Sequence, residues 1–305
     1  MLSKRDFEKE LGRGISIYPF KEKNIKENSI NFSVSSNAWT LGNGTIIRSK
    51  PGYFSLATPE SAPSTRIVLS CGDSAIRSIG KRQYLILLPN TTTIVETQEV
   101  IGVSNRIGGT LHSKVGIVAQ GIGDIGTMLG PCYCGHLMIS LHNLTDHLVV
   151  LPVGETFVSI VFHYLDTPAA IKKNTNMSGH VDKLSELGIH IDAQTREFLT
   201  ADWKQTEDGI REKMTGENSF KLFEGKLKKE KAQKYRRFFT RSNILIVVVL
   251  LIFITLGAVV AYTIKSKTHN DIWVERYWTI MITGIIVPFI MWLIKQIKPN
   301  YAIEI

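Results

Sequence analysis

Cysteine is scarce in this chain, with only Cys71, Cys132 and Cys134 among 305 residues. Such an odd and sparse set does not favour a disulfide-stabilised fold. The chain also lacks a long internal repeat, which excludes a solenoid or propeller array. Basic charge is concentrated in one place, since residues 226–241 hold eight Lys or Arg against Glu230, a net +7 of the formal +9. The remaining charge is too small to predict a reader of duplex DNA.

The central part of the chain alternates apolar and polar residues over short segments, which is typical of half-buried β-strands. The sequences Asn-Leu-Thr-Asp and Pro-Val-Gly-Glu separate the last of these segments, and both are typical of turns. The predicted strands are His136–Asn143, His147–Val153 and Thr156–Leu165, with further short strands at Ile67–Ser70, Tyr84–Leu88 and Thr92–Glu96. Many short strands with Gly-rich turns predict a mainly β barrel or sandwich.

Two long apolar runs lie towards the C-terminal end. Ile244–Tyr262 has 19 uncharged residues and Tyr277–Ile294 has 18, so each is long enough to cross a bilayer as a helix. The basic segment 226–241 precedes them, whereas residues 265–276 between them are nearly balanced in charge. By the positive-inside rule we expect a multi-pass protein of the inner (cytoplasmic) membrane, with both termini and the β domain in the cytoplasm. The basic segment then contacts anionic membrane lipids.

Residues 174–224 change to helical periodicity. The apolar residues at helix-like intervals are Leu184, Leu187, Phe198, Leu199 and Trp203, with Ser178 a candidate cap and Gly188 a candidate stop. We therefore divide the chain into three parts. A β domain occupies residues 1–170, a helical stalk and basic juxtamembrane segment occupy 171–240, and a two-helix transmembrane hairpin with a short tail occupies 241–305.

The letters G-x-G-x-x-G of a dinucleotide-binding fold occur at Gly121, Gly123 and Gly126. That motif holds pyrophosphate only where its last glycine opens a helix. Here it runs into Pro131 and a further strand, so we expect these glycines to shape a turn of the barrel.

Cys132, Cys134 and His136, with His142, form a second pattern that could hold a metal ion. A C-x-C pair on a strand places both thiols on one face only two residues apart, and no second Cys pair follows. We therefore expect small, half-buried residues here, and neither a metal site nor a cofactor.

Residues 109–143 resemble the active-site core of the dCTP deaminase and dUTPase superfamily. His112-Ser113-Lys114 occupies the position of that family's R-S-S phosphate loop, and Gly130–Gly135 the position of its D-P-G-W/Y-x-G turn. Leu137–Asn143 corresponds to its I-x-L-E-x-x-N strand. Residues 1–7, 15–20, 28–32 and 152–162 resemble other family segments in the same order. The resemblance implies a dUTPase-like barrel or jelly roll over roughly the first half of the chain.

The catalytic positions of the family are changed in this chain. The Asp that positions the attacking water in dUTPases corresponds to Gly130, and the proton-shuttling Glu of the deaminases corresponds to Ser140. The deaminase Arg that follows the loop corresponds to Ile117. The resemblance therefore implies a nucleotide site without catalytic residues.

The loop keeps residues that suit phosphate binding. In the family, main-chain N–H groups and Ser hydroxyls of this loop hold the phosphates, and the aromatic residue of the turn packs near the sugar. The alternative is that a Lys on a surface loop is merely solvated. The candidate ligand-binding residues are His112, Ser113, Lys114, Tyr133, Arg106 and Ser140.

Two hypotheses for function follow, from different classes. The first is a ligand-gated membrane effector whose inactive barrel binds a deoxynucleotide or a short single-stranded oligonucleotide. The resemblance implies a homotrimer with sites between subunits, and therefore about six transmembrane helices around one axis. Residues that would allow close packing or a bend in such a pore are Thr255, Gly257, Thr279, Thr283, Gly284 and Pro288.

This layout is similar to that of anti-phage defence effectors, including the Hailong type, and implies a nucleotidyltransferase that makes the ligand. The second hypothesis is a membrane-tethered dCTP deaminase or dUTPase-type hydrolase, in which Asp124 or Glu155 replaces the missing carboxylates. A purely structural membrane scaffold is a third, weaker alternative.

Overall fold

The computed structural model divides the chain into two compact units, Met1–Glu224 and Gly225–Ile305. It describes residues 1–50, 53–124, 126–170 and 180–238, and then 252, 254–260, 262–263, 266–267, 272–281, 284 and 287. The predicted cap at Ser178 lies outside the described residues.

The first unit is mainly β, as the alternating pattern predicts. Its strands are β1 Ile15–Tyr18, β2 Ile30–Thr40, β3 Gly44–Lys50, β4 Tyr53–Leu56, β5 Arg66–Leu69, β6 Ile76–Ile79, β7 Arg82–Leu87, β8 Thr91–Val103, β9 Ile107–Ser113, β10 Ile122–Asp124, β11 Met128–Leu129, β12 Cys134–Asn143, β13 Val149–Pro152 and β14 Thr156–Tyr164. The helices named among the described residues are α1 Lys4–Glu10, α2 Val115–Val118, α3 Val181–Glu186, α4 Ala193–Thr200, α5 Glu207–Gly216, α6 Asn218–Phe238 and α7 Ile272–Met281.

The largest sheet is antiparallel and curled. Its strand order is β10-β12-β8-β2-β14-β9-β11, with β1 pairing with β8. The strands β10 and β11 end this order on opposite sides, yet only residues 125–127 separate them in sequence. A link of that length reaches at most about 14 Å, so the sheet must curl until its two ends approach each other.

Two three-stranded sheets complete the β part, in the orders β13-β7-β6 and β4-β3-β5. They share a buried apolar cluster formed by Ile46, Leu69, Ile86 and Leu88. The G-x-G-x-x-G letters lie on and around β10, which is a short strand paired with β12, so no helix N-terminus is present there to hold pyrophosphate.

Residues 180–217 lie within the segment that the sequence predicts to be a helical stalk, and we call them the helical arm. The arm packs on the barrel, where Leu184 and Leu199 are fully buried in one cluster with Trp39 and Ile94. Gly188 follows α3 with φ +73°, consistent with the predicted helix stop. The periodicity correctly predicts helices, but an apolar helix face does not identify the surface it covers. Here that surface is the barrel itself.

The second unit contains α7 and a helical stretch at residues 254–260. The Tyr277 hydroxyl donates to the Ile254 carbonyl at 2.6 Å, and a Cβ on Gly257 would lie 2.6 Å from the Tyr277 ring. The small residue at 257 therefore allows the close approach of the two apolar runs.

Most of the two predicted spans, including Thr283 and Pro288, lies outside the described residues, while Thr255, Gly257, Thr279 and Gly284 lie within them. Over the part of the chain that the structure describes, no helix combines the length and the apolar composition needed to cross a membrane.

Candidate functional site

The His112–Lys114 loop lies where β9 ends. Ser113 pairs with Val158 of β14, and the Lys114 amide donates to the Phe157 carbonyl at 3.3 Å. The Lys114 ammonium donates to the Thr156 hydroxyl at 2.5 Å, so its side chain is held against the start of β14. His112 is exposed, with its Nε2 atom 2.9 Å from the Thr110 hydroxyl. The loop thus presents an imidazole and an oriented ammonium beside two hydroxyl groups.

Arg106 does not belong to this loop in the structure. It precedes β9, whereas His112 is near the end of that strand. At about 3.3 Å a residue, six residues of strand place their backbones roughly 20 Å apart. The Arg106 carbonyl instead accepts from the Leu165 amide at 2.8 Å. Within one chain the Arg106 backbone therefore lies away from the His112–Lys114 loop, and its part in ligand binding stays a prediction.

Tyr133 contacts the helical arm. Its hydroxyl donates to the His136 carbonyl and lies 3.2 Å from Nε2 of His180. The rings of Tyr133 and His180 stack with their centroids 6.1 Å apart and an angle of 25° between their planes. Burial raises the pKa of the Tyr133 phenol, so this group stays protonated. The predicted contact of Tyr133 with a nucleotide sugar stays a prediction, and in this structure its neighbouring ring is that of His180.

Ser140 lies on a face of β12 that the arm partly covers. It pairs with Ile94 of β8, and Met138 pairs with Glu96 in the same register. Directly opposed residues of an antiparallel pair share a face, as do residues two apart on one strand, so all four side chains belong to one face. Ile94 and Met138 pack against Leu184 and the other arm residues of this cluster. Ser140 itself is half-buried.

Sequence reasoning missed Glu96, a wholly buried carboxyl group on this face. Among the described residues, neither of its carboxyl oxygens has a hydrogen-bond partner. Burial raises the pKa of Glu96 to about 8, and the nearby Lys204 ammonium opposes this rise. A carboxyl group with such a pKa could exchange protons near neutral pH.

Lys204 of the arm was also missed, and it is only 2% exposed. Its ammonium lies 3.0 Å from Nε2 of His136 and 3.3 Å from the centre of the Phe198 ring. Nδ1 of His136 lies 2.8 Å from the Thr97 carbonyl. Burial lowers the pKa of His136 to about 3, so the neutral ring donates through Nδ1 and accepts through Nε2. Both nitrogens are therefore engaged, which leaves neither for a metal ion with Cys132 or Cys134.

Ile117 and Gly130, which the resemblance aligns with functional residues of the family, lie in different surroundings. Ile117 lies on α2 and is 5% exposed, so its apolar side chain belongs to the interior. Gly130 lies in the exposed turn before β12, where an added Cβ would meet nothing within 4 Å. Of the two proposed replacements, Glu155 is exposed in the turn before β14, and Asp124 pairs with Leu141 across the β10–β12 ladder.

The candidate residues fall into two groups within one chain. The loop on β9 and Ser140 on β12 are separated along the sheet by β14, β2 and β8.

A family model described as dCTP deaminase-like matches residues 1–165. The chain belongs to this family. Its mainly β, curled architecture is accordingly dUTPase-like, as the resemblance of residues 109–143 implied.

Sequence relatives match a smaller part of the chain. The dCTP deaminase of Thermococcus gammatolerans is 27% identical over 95 residues, which are 31% of this chain and 60% of that protein. The dCTP deaminase of Pyrococcus horikoshii is 25% identical over 101 residues, which are 33% of this chain and 65% of that protein. This chain thus spans less than two thirds of the length of either relative.

Among solved structures, the 2'-deoxycytidine 5'-triphosphate deaminase of Agrobacterium tumefaciens is similar with a TM-score of 0.36 and 16% identity. The match covers 61% of this chain and 52% of that one.

Proposed function

We propose that the dCTP deaminase-like domain of this chain binds a deoxynucleotide or a short single-stranded oligonucleotide without turning it over. Binding then controls a C-terminal membrane hairpin. The single observation that carries the proposal is the Lys114 ammonium held by Thr156 at the position that the resemblance gives to the phosphate loop. The loss of catalytic residues is inferred from the same resemblance.

Ligand binding is supported by the geometry of the loop. The bond from Lys114 to Thr156 restricts the ammonium before any ligand arrives, so less side-chain entropy is lost on binding. A phosphate placed there would meet the ammonium and the neighbouring hydroxyl groups of Ser113 and Thr156.

The absence of turnover is supported by the three changed positions. Gly130 has no side chain to orient a water molecule, and Ser140 has no acidic proton to transfer at neutral pH. Ile117 offers a buried apolar side chain in place of a guanidinium. Each of these changes removes a charged group on which the family's chemistry depends.

Control of a membrane hairpin is proposed from the two apolar runs and the charge asymmetry around them. A ligand shifts such a device only if it binds one state more tightly than the other. The proposed assembly is a homotrimeric pore at the inner membrane, in the manner of anti-phage defence effectors, with a nucleotidyltransferase as the source of the ligand.

The binding test uses the full-length protein in detergent with dCTP, dUTP and short single-stranded DNA as probes. Lys114→Glu replaces an attraction by a repulsion and should weaken binding by about 10- to 100-fold, with the loss reduced by salt. Lys81→Glu is the matched control, because Lys81 is an exposed lysine in the β6–β7 turn. Equal affinities of both variants and the parent would refute the assignment of the loop.

A subunit-mixing test examines the proposed position of the site between chains. Lys114→Glu damages the loop side of the site, and Ser140→Arg damages the β12 side. If each site combines the loop of one chain with Ser140 of another, equal co-expression should restore about a quarter of the sites by random assembly. If each site lies within one chain, the mixture should bind no better than the separate variants.

One observation favours the enzyme alternative. Glu96 shares the face of Ser140 two residues along the paired strand. A carboxyl group with a raised pKa therefore lies on the face to which the resemblance assigns the proton-shuttling Glu. Glu96 is therefore a better replacement than Asp124 or Glu155. Release of ammonia from dCTP or of pyrophosphate from dUTP by the parent, abolished in Glu96→Gln, would favour this alternative over the gated effector.

A further inference from the structure

The helical arm inserts a lysine beside a buried acid. Lys204 follows Trp203 in a 3₁₀ helix at Asp202–Lys204 and is almost inaccessible to solvent. Besides His136, its ammonium contacts the Phe198 carbonyl at 2.5 Å. The arm thus holds the cation with its own carbonyl group and aromatic ring, while the imidazole of the barrel accepts the remaining contact.

The acid on the barrel side is Glu96. It interacts electrostatically with Lys204, but no direct hydrogen bond joins the two among the described residues. Burying such a pair is costly, and apolar residues of similar volume commonly give equal or greater stability. If the interface between arm and barrel served only to hold the arm in place, it would not need these two ionisable groups.

Other titratable groups facing the pair are in fixed states near neutral pH. His136 stays neutral, and burial also lowers the pKa of His180, which lies beside Tyr133. Burial raises the pKa of Cys134 to about 12, with Glu207 of α5 acting in the same direction.

Glu207 is a further carboxyl group facing this region. Burial and the neighbouring Asp208 raise its pKa, whereas Arg211 lowers it. Its side chain is 28% exposed, so solvent reaches it while it reaches neither Glu96 nor Lys204.

We propose that the helical arm is a detachable clamp over the Ser140 face of the barrel, and that the protonation states of Glu96 and Lys204 control its release. Release of the arm exposes Ser140 and Tyr133 to solvent. It also detaches the arm, which directly precedes α6 in the chain, from the barrel.

The direction of the pH effect follows from the two pKa values. When the arm is docked, burial raises the pKa of Glu96 from 4.5 to about 8. Docking of the arm is therefore favoured at low pH and is weakened as pH rises from 4.5 to 8. Burial lowers the pKa of Lys204 from 10.5 to about 8 in the docked arm. Docking is therefore strengthened again as pH rises from 8 to 10.5. The arm is therefore most easily released near pH 8. Between pH 6 and pH 8 its opening constant rises by roughly an order of magnitude.

Hydrogen–deuterium exchange of the full-length protein from pH 6 to pH 9, corrected for intrinsic exchange rates, tests this inference. Peptides of the arm should show opening that peaks near pH 8, while peptides of β2 and β8 remain protected. Glu96→Gln should reverse the trend between pH 6 and pH 8, because only Lys204 then titrates. Lys204→Met should make opening rise beyond pH 8 without a maximum. Glu155→Gln, at an exposed carboxylate, should match the parent.

A parent profile that is flat across this range would overturn the inference. So would simultaneous loss of protection in the arm and in β2 and β8, since that is global unfolding. If Glu96→Gln does not fold, the parent profile and the Lys204→Met profile decide the question.

Discussion

The replacement Leu184→Ala tests whether the arm is a packed part of the barrel domain. Leu184 is fully buried in the cluster that contains Trp39 and Ile94 of the barrel and Leu199 of α4. Removing its isobutyl group loses apolar burial and leaves a cavity, which typically costs about 2–5 kcal/mol. Because those contacts join the arm to the barrel, the loss weakens docking and raises the opening constant by about 30-fold or more.

Leu187→Ala is the matched control. This leucine follows α3 by one residue and is 41% exposed, so the same chemical change leaves no closed cavity. We expect it to cost less than about 1 kcal/mol. The assay is pulse proteolysis of the full-length protein in increasing urea, with cleavage sites in the arm and in the barrel identified by mass spectrometry.

The expected result is earlier cleavage of the arm in Leu184→Ala than in Leu187→Ala at each urea concentration. If the two variants are equally resistant to cleavage, the buried contact contributes nothing and the packing argument fails. The arm would then be the free stalk that its sequence first indicated.

Two further predictions concern other parts of the chain. Glu99→Gln should lower the free energy of unfolding by about 1.5–3 kcal/mol in urea denaturation, because the buried carboxylate accepts from the Ser33 amide at 2.7 Å and from its hydroxyl at 2.8 Å. An unchanged midpoint would contradict this. A reporter inserted near His269 should be external while a C-terminal fusion is cytoplasmic, and the reverse result would contradict the topology inferred from charge.

Strand positions could be predicted from the sequence because one face of each strand is buried. Residues 134–164 show this directly, since predicted strands at 136–143 and 156–165 agree with β12 and β14 to within two residues. The alternation of apolar and polar residues along a strand reflects which of its faces is buried, and it can be read without knowing the partner strand. The assignment of Gly130 and Ser140 to the family's catalytic positions rests on their spacing from the His112–Lys114 loop and stays a prediction.

The environment of charged residues could not be predicted in the same way. Glu96 lies in a strand among threonines, and Lys204 lies among the polar residues of a helical segment, where solvent exposure is the ordinary state of both. Both are buried in the folded domain, where Lys204 of the arm faces Glu96 of the barrel.

Glu96 and Glu99 show why the arm face is the responsive part of the barrel. Both are buried on β8, but Glu99 accepts hydrogen bonds from Ser33 and lies 3.1 Å from the Lys21 ammonium. A carboxylate with donors on each oxygen holds its surroundings fixed, because any movement would leave it unpaired. Glu96 has no such donors among the described residues and faces a cation on a separate element. When the arm moves away, Glu96 loses no hydrogen bond and its carboxylate is hydrated again. The desolvation cost of burying this carboxylate therefore favours release of the arm.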